Sequence, residues 1–141
     1  MGDFVYTFVS SAYHVERSWG HGTPRAGMAL LAELAHAHGI PVTWLVNPHS
    51  AEEMAERLTR WHAQSGDEVG LYLGAPPEAR TGHEERQYFI SLTYDQMRQK
   101  IEGEAQRVAE TLPWANLRVA GAGYRSNTMV AVLEDLGLDG L

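Results

Sequence analysis

The sequence contains no cysteine. That excludes a disulfide framework and a thiolate metal site, and it fits a reducing, cytoplasmic setting. A basic cluster is missing as well: eleven Lys and Arg stand against eighteen Asp and Glu, a formal charge of -7. A nucleic-acid binder needs cationic side chains to displace counterions, so nucleic acid is not an expected partner. Long apolar runs are lacking too. Hydrophobic stretches break off within a few residues, so no membrane association is expected, and Met1, Gly2 and Asp3 do not open a signal sequence. What is present is 141 residues, 44% hydrophobic and 21% charged, sufficient for a buried core and too apolar for a disordered chain. Without repeats, low-complexity segments or linkers, residues 1–141 read as a single domain.

Apolar segments of two periods alternate along that domain. Residues 4–9 (FVYTFV) are β-branched and aromatic, as a strand requires. Thr23 and Pro24 then read as cap and first residue of a helix, with Leu30, Leu31 and Leu34 as its buried face and Gly39 as its stop. Residues 42–46 form a strand ended by Asn47 and Pro48. Ser50 with Glu53 predicts a capping box, opening a helix with Met54, Leu58 and Trp61 inward and Gly66 at its close. Residues 68–73 form another strand, and residues 75–92 read as a long polar connection. Thr93 with Gln96 starts a helix carrying Met97, Ile101, Val108 and Leu112, ended by Pro113. A strand at 117–120 follows. Ser126 or Asn127 then caps a helix with Val130, Leu133 and Leu136, and residues 138–141 begin a further strand. Strands alternating with helices predict an α/β fold with a mainly parallel sheet.

In such folds ligands sit at the carboxyl ends of the strands. The loops to inspect therefore hold Ser10, Ser11, His14, Glu16, Trp19 and His21, then Asn47 and His49, then Tyr72, His83, Glu84 and Arg86, and finally Tyr124 and Arg125. On an extended segment His14 and Glu16 share a face, as a ligand pair or a base with its orienting carboxylate; two solvated loop residues would look the same. His21 and His49 suit zinc by chemistry, yet no HxxxH or HExxH spacing occurs. His36, His38 and His62 lie near helix ends and read as structural or merely exposed. The run from His83 to Arg86 reads as a solvated charged loop. Gly121, Ala122 and Gly123 do not complete a GxGxxG and fit tight packing under Tyr124 better than a phosphate loop. Trp44 and Trp61 read as core, whereas Trp19 stands where it would stack on a sugar or pack against its loop.

The order of these pieces resembles the polysaccharide deacetylase (NodB-homology) superfamily over nearly the whole chain. Thr7 and Phe8 look like the start of its first motif, TFDD. The stretch LLAELAHAHGIPVTWLV, residues 30–46, resembles the family's LLxxLxxxGIPATFFV. Residues 66–71 (GDEVGL) look like GHEIGLH, residues 91–93 with the following helix fit the family's next helix, residues 120–127 (AGAGYRSN) resemble RAGGYR, and residues 133–137 (LEDLG) match LxxLG. The resemblance implies a distorted or incomplete (β/α) barrel, with the C-terminal strands of the full fold lacking and with self-association or a missing C-terminal segment.

It also implies a divalent metal such as zinc, but the positions of the two motif aspartates look like Val9 and Ser10, or Ser11 on a shifted spacing. Tyr72 and Pro76 stand where the motif histidines belong, and the third motif's arginine appears as Ala120, although Tyr124 is retained. A metal-activated water needs ligands for the ion and a base for the proton, and these residues supply neither. The chain is thus expected to be a deacetylase-like domain related to metal-dependent hydrolases of C–N bonds in carbohydrates, with a rebuilt site or none. In a rebuilt site His14 and Glu16 are the catalytic pair, with Trp19, His49, Tyr72, Tyr124 and Arg125 around a carbohydrate or other small ligand. The competing expectation is a non-catalytic glycan-binding or scaffolding domain.

Overall fold

The computed structural model describes residues 24–76, 78–79 and 81–140. The expected strand at 4–9 lies outside them. The order is α1 (Pro24–Ala37), β1 (Thr43–Val46), α2 (Pro48–Ser65), β2 (Glu68–Leu73), α3 (Gly82–Ser91), α4 (Tyr94–Thr111), β3 (Val119–Ala122), α5 (Asn127–Asp135) and β4 (Asp139–Gly140).

The strands make one four-stranded sheet in the order β1-β2-β3-β4, and every pairing is parallel. Sequential order without reversal is the winding of a (β/α) barrel, whereas a doubly wound sheet reverses partway. The described strands form an open arc of such a winding. Each carboxyl end therefore faces the same side, as the α/β reading requires. Residues 44–46 and 69–71 are buried without alternation, because elements cover both faces of a parallel sheet. Gly70 is needed here. A Cβ at that position would stand 2.6 Å from Val119 Cγ2 and 2.8 Å from the Val119 carbonyl oxygen.

Trp44 stacks on Trp61 at 5.2 Å, joining β1 to α2 in the core as expected. α2 packs on α4 and α4 on α5, through the expected stripe of Met97, Ile101, Val108 and Leu112. No helix among the described residues is long and apolar enough to cross a membrane.

Five local expectations are corrected. The buried stripe of α1 is Met28, Ala32 and Ala35, at i, i+4 and i+7, with Leu31 partly buried beside it. Leu30 and Leu34 are 67% and 60% exposed, because they fall on the opposite side of that phase. α2 begins at Pro48 rather than after Ser50: the Asn47 side chain accepts from the Ser50 backbone N–H at 2.8 Å, and Ser50 Oγ accepts from Asn47 N–H at 3.0 Å. Asn47 ends the strand by starting the helix. Residues 75–92 are not all loop, since Thr81 and Glu84 form a capping box that opens α3. In α5, Met129, Val132 and Leu133 are the buried residues, and Val130 faces out. β3 also lies two residues beyond the expected strand at 117–120.

Candidate functional site

The two ends of the sheet are built differently. At the amino ends Asp67, only 1% exposed, acts as a pin. Its Oδ1 accepts from Val42 N–H at 2.9 Å and from His36 Nε2 at 2.8 Å, and its Oδ2 accepts from Trp44 Nε1–H at 2.8 Å. His62 Nδ1 donates to the Asp67 carbonyl at 2.7 Å and stacks on Trp114 at 4.1 Å. His36 and His62 are therefore structural, as expected, and His38 is exposed. A buried carboxylate with three donors is satisfied, and it ties α1, β1 and α2 to the start of β2.

At the carboxyl ends a small cleft of about 30 Å3 is lined by Tyr72, Gly74, Ala75, Ala79 and Glu85. Tyr72 comes from β2, whose carboxyl end breaks into Gly74, Ala75 and Pro76. Glu85 comes from α3, held at that spot by its Thr81 cap. Gly123 follows β3, and its missing side chain is what lets the three approach. A Cβ there would lie 3.2 Å from Glu85 Oε1 and 3.4 Å from the Tyr72 hydroxyl. Among the described residues Glu85 Oε1 is buried and has no hydrogen-bond partner. Beside it, the Arg86 guanidinium sits 5.7 Å from the centre of the Tyr124 ring.

The sequence-predicted residues distribute as follows. Tyr72 lines the cleft, and Tyr124 adjoins it through Gly123. Arg125 is exposed and reaches toward β4, its Nη1 3.6 Å from where a Cβ of Gly140 would stand. His49 is exposed in the first turn of α2, and Asn47 is committed to capping that helix. His14, Glu16, Trp19 and His21 lie outside the described residues. Glu85 was not singled out from sequence as a site residue. The Thr81-Glu84 capping box was there to place it on a helix, and a helix would have aimed one residue of the charged run inward.

Catalytic zinc takes three protein ligands and a water. Among the described residues no three His, Cys, Asp or Glu side chains gather to hold a metal ion. Among its described lining residues the cleft offers one carboxylate and a phenol, a donor set that does not fit the group.

This architecture, a parallel sheet wound in sequence with its cleft at the carboxyl ends, is the fold of the polysaccharide deacetylases, carbohydrate esterase family 4. Among solved structures, a family 4 pseudoenzyme from Bacillus anthracis superimposes with a TM-score of 0.65 at 13% identity, covering 96% of this chain and 41% of that one. A mutant of that pseudoenzyme with restored enzymatic activity gives 0.64 at 14%, covering 95% and 42%. A family 4 carbohydrate esterase from Streptomyces lividans, in complex with acetate, gives 0.62 at 14%, covering 96% and 59%. The chain thus spans less than two thirds of each of these structures. No family model and no curated protein matches the sequence.

Proposed function

We propose that this chain is a deacetylase-like domain that recognises a carbohydrate at the carboxyl ends of β2 and β3, without hydrolysing it by metal-activated water. The observation that carries the reading is the convergence of Tyr72, Glu85, Gly123 and Tyr124 there. Aromatic rings take the apolar face of a sugar at little entropic cost, while a fixed carboxylate and guanidinium match its hydroxyls. Amide hydrolysis needs a held ion and a base together, and among the described residues one carboxylate beside a phenol is not that set. One of the structural neighbours is itself described as a pseudoenzyme, so the fold accommodates such a loss.

The test is calorimetric titration with an N-acetylglucosamine tetramer, paired with an acetate-release assay in the presence of zinc. The expected result is binding without acetate release, weakened about fivefold to tenfold by Tyr124→Ala. Acetate release that vanishes in His14→Ala or Glu16→Ala would restore the hydrolase reading with those two residues as its catalytic pair. Absence of binding would remove carbohydrate recognition.

A further inference from the structure

We infer that the cleft is a pocket for a single polar substituent, in which Glu85 accepts a hydrogen bond from a hydroxyl or amino group of the bound saccharide. This rests on the carbohydrate reading above and assigns the residue and the group it reads.

Among the described residues Glu85 Oε1 is buried without a partner, on the wall of the cleft. A carboxylate oxygen accepts, so this one is open to a donor from a ligand. α3 places it there, with its start set by Thr81 and its side chain directed at the end of β3. An acceptor left open on the wall of a cleft is a candidate for binding. The cleft sets the size of what it takes. About 30 Å3 open to water-sized groups suits one or two small polar groups rather than a whole sugar ring. The ring must then lie outside, where Tyr124 carries the Arg86 guanidinium over its face. Glu85 accepts and Arg86 donates, so the complementary ligand presents donors and acceptors side by side, as a saccharide does. Gly123 completes the pocket, because any side chain there would press on the Glu85 carboxylate and the Tyr72 hydroxyl together.

The experiment compares wild type, Glu85→Gln, Glu85→Ala and Gly123→Ala by calorimetry against two probes, the N-acetylglucosamine tetramer and the glucosamine tetramer. Thermal unfolding of each variant is measured without sugar. Glu85→Ala and Gly123→Ala are expected to weaken binding at least about tenfold, the loss of one charge-assisted hydrogen bond. Glu85→Gln is expected to weaken binding while leaving the melting temperature unchanged, a pairing that a merely structural glutamate would not produce. If the donor is a hydroxyl, both tetramers lose affinity alike. If it is an amine, wild type prefers the glucosamine tetramer and Glu85→Gln abolishes the preference. Wild-type affinity in both Glu85→Ala and Gly123→Ala would overturn the pocket and leave carbohydrate recognition standing. A wild type that binds neither tetramer would overturn both.

Discussion

The carboxylates of Asp67 and Glu104 have opposite surroundings. Asp67 has three donors and holds the amino ends of the strands. Glu104, on α4, is partly buried and has Lys100 Nζ at 2.6 Å from Oε1, while its Oε2 has no partner among the described residues. Burial raises its pKa above the ordinary 4.5, and the nearby Lys100 and Arg107 charges offset only part of that. The folded protein therefore binds this proton more tightly than the unfolded chain does. Ionised Glu104 opposes folding at neutral pH, and that cost disappears as pH falls through the raised value. Glu104→Gln should stabilise the protein at neutral pH by roughly 0.5–1 kcal/mol, after the loss of about 0.3–0.5 kcal/mol from the Lys100 pair. Urea unfolding checks this across pH. The advantage should shrink as pH is lowered toward 4.5; an advantage that grew instead would mean that burial does not dominate at this site.

At the scale of elements, signals with a local mechanism were legible and those set by neighbours were not. The Thr93-Gln96 box, the left-handed Gly66 and the span of β2 follow from local chemistry, and the structure has each of them. The phase of α1 does not. Leucines at 30, 31 and 34 outweigh Met28, Ala32 and Ala35 on a hydrophobicity count, yet Met28 and the two alanines face the core, with Leu31 only partly buried beside them. Alanine at a contact lets a helix backbone approach closely, which a count of apolar atoms cannot register. This phase makes a sharp prediction. Leu34→Gln should change stability by less than about 0.5 kcal/mol, as exposed substitutions do. Met28→Ala, at a site only 1% exposed, should cost about 2–5 kcal/mol. Chemical denaturation of the two variants decides between the phases, since equal costs would put Leu34 in the core.

For the molecule as a whole, the parallel sheet separates two tasks. By the rule that ligands gather at carboxyl ends, Tyr72 and Tyr124 were legible in the sequence as candidates, and in the structure Tyr72 lines the cleft and Tyr124 adjoins it. Glu85 was not, because its direction depends on α3, and in sequence a charged run looks like a solvated one. Between Asp67 and Tyr72 the strand advances about 16 Å, so the pin and the cleft share no partners. Sites so far apart change stability independently. Asp67→Asn turns an amide toward donors that need an acceptor, and it should cost roughly 2–3 kcal/mol. It should leave the dissociation constant for the N-acetylglucosamine tetramer unchanged. Glu85→Gln should do the reverse, weakening binding while changing stability by less than about 0.5 kcal/mol. In the double variant the two stability changes should add to within about 0.5 kcal/mol, and affinity should equal that of Glu85→Gln alone. Unfolding and calorimetry on the four proteins measure both quantities. A coupling above about 1 kcal/mol, or weaker binding in Asp67→Asn, would show that the two ends of the sheet communicate, and the cleft would then have to be treated as part of one network with the pin.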